Sequence, residues 1–232
     1  MMLDALKKEV YKANMSLKEE KLVIYTWGNV SAYDEDSGYV VIKPSGVAYE
    51  TMKPEDMVVV DLQGNVIEGA LKPSSDTLTH LEIYKAFKGV KSVVHTHSKW
   101  ATIFAQAQQS IPPLGTTHAD YFKEAVPLTR PMTPAEIESD YELNTGKVIT
   151  EHIEKHRIEP LHSPAILVNE HGPFTWGETT KKAVHNAVVL ETLAEMAYHT
   201  MQLRQTPLKM DEKLHQKHFY RKHGKNKYYG QD

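Results

Sequence analysis

Leu3, Leu6, Val10, Ala13 and Leu17 recur at helical spacing with polar residues between them, which predicts an amphipathic helix over about residues 2 to 20. The pattern then shortens. Val23 to Tyr33, Tyr39 to Lys43 and Met57 to Asp61 are brief runs rich in Val, Ile and Tyr, separated by Gly, Asp or Pro, as strands are. Gln63-Gly64-Asn65 reads as the turn closing a hairpin. A helix is expected after Asp76, through Leu81, Ile83 and Tyr84 to about Phe87, followed by a strand over Lys91 to His97 and a helix from Trp100 to Gln108. Thr133-Pro134-Ala135-Glu136 combines a capping box with proline at the first helical position, and Asn144 reads as the cap of a second helix reaching about His156. Ala165 to Asn169 predicts a buried strand, and Lys181 to Leu203 a long helix.

Short strands interspersed with helices make an α/β layered domain without the regular alternation of a doubly wound sheet. The composition agrees: 232 residues, 41% hydrophobic and 25% charged, suit one sizeable globular domain. No apolar run is long enough to span a bilayer and the N-terminus lacks a signal-peptide pattern, so a cytoplasmic protein is expected. With a formal charge of -3 and no basic stripe interleaved with aromatics, nucleic acid is not an expected partner. One local exception is the basic run between Lys209 and Lys227, which reads either as a solvated face or mobile tail or as a flap closing over an anion.

Cysteine is absent, so disulfides and thiolate ligands are excluded and any metal must be held by imidazole and carboxylate. The 13 histidines therefore become the group of interest. Ser92-Val93-Val94-His95-Thr96-His97 sets two of them two apart at the end of an apolar run, on one side if the strand continues through both. His171, in the turn expected after Ala165 to Asn169, is a candidate third ligand or a plain surface histidine. Three imidazoles suit zinc or another divalent first-row ion and leave a position open. The Asp-His that follows HxH in dinuclear metallo-hydrolases is missing. Asp76 is a fourth ligand, a base or an ordinary helix N-cap.

Three small-residue loops, Thr26-Trp27-Gly28-Asn29-Val30-Ser31, Lys43-Pro44-Ser45-Gly46 and Pro73-Ser74-Ser75, suggest an anion site. Glycine permits close backbone approach, serine and asparagine donate hydrogen bonds, a helix after Asp76 presents unpaired N–H groups, and Lys43 adds charge. None matches a Walker loop or a dinucleotide fingerprint.

Taken together, TWGNVS at 26–31, KPSG at 43–46, PSSD at 73–76, HTH at 95–97 and EHGPFTWG at 170–177 resemble the class II aldolase family over nearly the whole chain. GTTHADYF at 115–122 and KYYGQ at 227–231 are similar to its pentulose-phosphate epimerase branch, where Asp76 stands in place of the Glu of the phosphate aldolases. The resemblance implies a three-layer α/β/α fold with a central mixed, mostly antiparallel, nine-stranded sheet. It implies Zn2+ held by His95, His97, His171 and, before substrate enters, Asp76. Phosphate contacts would come from Gly28, Asn29, Ser45, Gly46, Ser74 and Ser75, with Thr116 and His218 at further active-site positions. Proton transfer would fall to Asp120 and Tyr229 from a neighbouring chain of a homotetramer, with the tail from about residue 207 completing that site; Tyr228 is the rival tyrosine.

The implied activity is epimerisation at carbon 4 of a sugar phosphate in pentose catabolism of the L-arabinose or L-ascorbate type. Removing the hydrogen at carbon 4 would leave a carbanion with no adjacent carbonyl to delocalise it. Breaking the bond between carbons 3 and 4 instead leaves the charge beside the carbon 2 ketone, where a divalent metal stabilises it, and the glycolaldehyde phosphate fragment turns over before re-addition. Two alternatives are a fuculose- or rhamnulose-phosphate type aldolase, sharing the intermediate but releasing the fragments, and an adducin-like scaffold without catalysis, which the three histidines disfavour.

Overall fold

The computed structural model describes residues 3–204, 209–224 and 228. The first helix, α1 (Asp4–Glu19), buries Val10, Ala13 and Leu17 on the expected face. Strands β1 (Asn29–Asp34), β2 (Tyr39–Ile42), β3 (Val58–Asp61) and β4 (Val66–Glu68) then form a meander. Its last turn is held by Asp61, whose Oδ1 accepts from the Gln63 and Asn65 amides and whose Oδ2 accepts from Asn65 Nδ2. Next come α2 (Thr77–Ala86), β5 (Ser92–His95), α3 (Lys99–Gln106) and the short α4 (Thr116–Ala119). The chain continues through α5 (Pro134–Glu138), α6 (Tyr141–Lys155), β6 (Ala165–Val168), β7 (Gly172–Gly177), α7 (Thr180–Leu203) and α8 (Glu212–His223).

The strands form one sheet in the order β4-β3-β2-β1-β5-β7-β6, with every neighbouring pair antiparallel. Among the described residues the sheet has seven strands rather than nine, and a single parallel bridge, Leu128 to Leu167, supplies its mixed character. Strand side chains alternate between two apolar layers. Val40, Ile42, Val58, Val60, Val93, Phe174 and Trp176 pack against Leu81, Ile83 and Phe87 of α2 and Ile149 and Ile153 of α6. Val30, Ala32, Val41, Val59, Val94, Ala165 and Leu167 face α1, α3 and α7. Each fully buried side chain of this size stabilises the fold by about 1.5–3 kcal/mol, so both faces of the sheet demand cover and the three-layer architecture follows. No helix among the described residues is long and apolar enough to cross a membrane.

Several boundaries differ from the sequence reading for identifiable reasons. Residues 23–28 are loop, because Tyr25 and Gly28 adopt left-handed backbone (φ 56° and 76°) that no strand contains. Asn144 does not cap α6, which starts three residues earlier; its Nδ2 donates to Glu136 O and Ser139 Oγ, tying α6 to α5. The Gly172–Gly177 segment, in which the sequence reading marks only Gly172 and Pro173 as turn and gives the rest no element, is a fully buried strand between β5 and β6. Over residues 212–223 the basic run is a helix held by the buried Phe219, with Lys213 and Lys217 on its exposed face.

Candidate active site

Inserting β7 between β5 and β6 brings the β6–β7 turn, and with it His171, beside the C-terminal end of β5. His95 ends that strand, whereas His97 lies beyond it in the link to α3, so the same-side argument for a strand does not apply to the pair. The link is held instead from α7: Glu191 accepts hydrogen bonds from the Trp100 and Ala101 amides at the start of α3. The result is convergence. His97 Nε2 lies 3.1 Å from both His95 Nε2 and His171 Nε2, and the candidate ligand atoms of all three lie within 4.8 Å of one another.

Each ring is oriented by a different neighbour. His95 Nδ1 donates to the Pro173 carbonyl at 3.0 Å, which orients the ring with Nε2 toward His97, and the ring stacks at 4.1 Å on its cross-strand partner Phe174. His171 Nδ1 lies 3.4 Å from Tyr141 Oη, and His97 packs beside Trp27. Burial, together with repulsion from His95 and His97, pushes the pKa of His171 down to about 3, so it is neutral and ligand-competent. Three converging imidazole nitrogens in a chain without cysteine fit a first-row divalent cation.

Asp76 occupies the N-cap position of α2 but makes no side-chain cap bond, which removes the ordinary-cap reading. Its Oδ2 instead accepts from Asn29 Nδ2 at 2.7 Å. Burial opposes its charge, but coupling to His95 and His80 and the Asn29 bond outweigh it and hold the carboxyl below the usual carboxylate range. It stands outside the three-histidine group while lining the same cleft.

That cleft, about 410 Å³, is also lined by Gly28, Asn29, Lys43, Ser45, Gly46, Ser74 and Ser75, so all three predicted loops meet there. Two of them are bonded to each other: Ser45 N donates to Lys72 O and Ser74 N to Lys43 O. Lys43 is also tied to its own loop. Its Nζ donates to Pro44 O and Val47 O and sits over the Tyr49 ring, and burial lowers its pKa to about 8, so its ammonium braces the loop at the wall of the cleft. Gly28 has φ 76°, and a Cβ there would meet Val23 Cγ1 at 2.7 Å and His95 O at 2.9 Å. Gly28→Ala is therefore expected to destabilise the fold by about 1–3 kcal/mol and to weaken metal binding by displacing the His95 backbone, measurable by thermal unfolding and metal titration.

A second cluster forms at α4 and α8. Asp120, at the end of α4, accepts from His218 Nδ1 (3.1 Å) and Arg221 Nε (3.0 Å) on Oδ1 and from a terminal Arg221 nitrogen on Oδ2 (2.7 Å), with Lys222 Nζ 3.8 Å away. Desolvation works against its charge, but the Arg221 and His218 bonds and the Lys222 field keep its pKa below normal. Thr116 opens the same short helix. Thr116, Asp120 and His218 do not line the histidine cleft of their own chain. Tyr229 lies outside the described residues.

The sequence pattern of the Class II Aldolase and Adducin N-terminal domain matches residues 8–198. The chain belongs to this family. Two curated proteins named L-ribulose-5-phosphate 4-epimerase UlaF, from Salmonella paratyphi C (strain RKS4594) and Salmonella choleraesuis (strain SC-B67), are each 55% identical over 229 residues, covering 99% of this chain and 100% of theirs. A solved L-fuculose 1-phosphate aldolase superposes with a TM-score of 0.77 at 24% identity over 93% of this chain and 94% of that one. The L-fuculose 1-phosphate aldolase from Glaciozyma antarctica PI12 gives 0.75 at 20% identity, over 93% and 80%. At these identities the structural likeness shows the class II aldolase fold.

Within this class II aldolase fold, Tyr141 and Arg221 are contacts that the sequence reading did not single out. Tyr141 carries no motif and reaches His171 because the first turn of α6 lines the cleft. Arg221 was legible in principle: it stands three positions after His218, on the same face of a helix.

Proposed function

We propose that this chain is an L-ribulose-5-phosphate 4-epimerase, a cytoplasmic isomerase that interconverts L-ribulose 5-phosphate and D-xylulose 5-phosphate. The observation that carries the reading is the meeting, in one cleft, of three converging imidazoles with the three small-residue loops. His95, His97 and His171 would hold Zn2+, with Asp76 as a fourth ligand until substrate enters. When bound, the cation supplies Lewis acidity for the negative charge that develops beside the ketone as the bond between carbons 3 and 4 breaks.

The remaining work falls to the chain itself. The loops around Gly28, Asn29, Ser45, Gly46, Ser74 and Ser75 anchor the phosphate at the N-terminus of α2, so the glycolaldehyde phosphate fragment rotates without escaping. Because the carbon 4 oxygen points to opposite sides before and after rotation, a proton-transfer group is needed on each face. Asp120 fills one place: Arg221 and His218 keep it ionised and fix its direction. Tyr229 fills the other, a phenol of ordinary pKa near ~10 being a proton donor at neutral pH.

Since Thr116, Asp120 and His218 are absent from the cleft of their own chain, they would serve a neighbour's. The assembly we propose is the homotetramer with sites between subunits that the family resemblance implies, each chain being one domain whose C-terminal tail from about residue 207 completes the adjacent site. Incubation of the purified, metal-loaded protein with L-ribulose 5-phosphate, followed by NMR, is expected to show D-xylulose 5-phosphate. Stoichiometric free glycolaldehyde phosphate without xylulose 5-phosphate would establish an aldolase instead.

A further inference from the structure

Strand β1 and helix α2 face each other with matched periods. A strand returns to the same face every two residues and a helix every four, so Asn29, Ser31 and Tyr33 meet Asp76, His80 and Tyr84 in successive rungs. Asn29 Nδ2 donates to Asp76 Oδ2 at 2.7 Å; Ser31 Oγ lies 2.7 Å from His80 Nδ1 and 2.6 Å from Tyr84 Oη; the Tyr33 and Tyr84 rings are 5.5 Å apart. The first rung lines the cleft, and the second lies wholly beneath the surface.

Two atoms of this ladder are left over. His80 Nε2 and Asn29 Oδ1 are both buried and have no hydrogen-bond partner among the described residues. A buried polar atom without a partner costs about 1–3 kcal/mol, and the two belong to neighbouring rungs on either side of Asp76. His80 is also coupled electrostatically to both Asp76 and His95, and its edge meets Phe174, the ring on which His95 stacks. Burial lowers its pKa to about 3, so it acts as a neutral hydrogen-bonding ring.

We infer that His80 is a positioning residue for the Asp76 carboxylate, oriented from behind by Ser31 and Tyr84 with its Nε2 left to act on the first rung. The inference rests on the reading of Asp76 as part of the metal site. Outer contacts of this kind fix the direction of a ligand without touching the metal or substrate.

Cobalt(II) titration of the whole protein tests it, because the visible spectrum of bound cobalt reports ligand number and geometry. His80→Leu is expected to bind cobalt about 10-fold more weakly, with an altered spectrum and a lower kcat at unchanged KM. His80→Gln, whose amide can both accept from Ser31 and donate on its far side, should recover most of the affinity and the wild-type spectrum. Wild-type cobalt affinity and spectrum in His80→Leu, or a glutamine variant no better than leucine, would overturn the inference. Should His80→Leu not fold, Ser31→Ala removes the Nδ1 partner with little change of volume; cobalt binding should weaken there too, and unchanged binding would count against the role. A wild-type protein that takes up no cobalt would overturn the metal reading itself, a result distinct from unchanged variants.

Discussion

Replacing His97 with asparagine is expected to strip the protein of its metal and lower turnover by at least about 10³-fold, the loss of several kcal/mol of Lewis-acid stabilisation. His97 is the member of the trio whose Nε2 lies 3.1 Å from both of the others, so its loss leaves only a pair of nitrogens. Two imidazoles hold a first-row ion far more weakly than three. The ring is exposed and lies outside the strand, so the variant should fold with an unchanged melting profile in the absence of metal. Elemental analysis after dialysis, alongside the epimerase assay, checks both arms. Full metal content in a folded, inactive variant would assign His97 to chemistry rather than ligation, and full activity would remove the trio from the mechanism.

The second large effect separates proton transfer from metal binding. Asp120→Asn is expected to retain stoichiometric metal, since the residue is remote from the histidine cleft of its own chain, while turnover falls about 10²- to 10⁴-fold. Asparagine keeps the size of the side chain and one acceptor oxygen for Arg221 and His218, but cannot take a proton at neutral pH. Mixing this variant with His97→Asn after subunit exchange then tests whether the site is shared. Each inactive chain supplies what the other lacks, and random pairing around a ring should restore roughly a quarter of the sites. No recovery after exchange has been verified by mass would place Asp120 and the histidines in separate functions, whereas complete activity in the single Asp120 variant would dismiss it as a proton carrier.

Local pattern determined a good deal. The spacing of Val10, Ala13 and Leu17, the capping box at Thr133, the Gln63-Gly64-Asn65 turn and the small-residue loops each depend on neighbours within about one helical turn, and the structure contains all of them. The family motifs carried the site further than periodicity did, because they bind distant segments into one expectation: His95, His97 and His171 converge as that expectation required.

What the tertiary structure alone decided is how the segments are arranged to bring these residues together. The strand order, with β7 placed between β5 and β6, is what puts His171 beside His95, and nothing in the local period of either segment encodes it. The direction of a polar side chain is likewise set by whichever partners the fold supplies. Lys43 ties Pro44 O and Val47 O at the cleft wall, Asp76 declines its cap for Asn29, and Asp120 is clasped by Arg221 from a helix a hundred residues away in sequence. Periodicity records which face of an element is apolar; which elements share a face depends on long-range pairing, whose free energy comes from burial and hydrogen bonds made only after the chain has closed on itself.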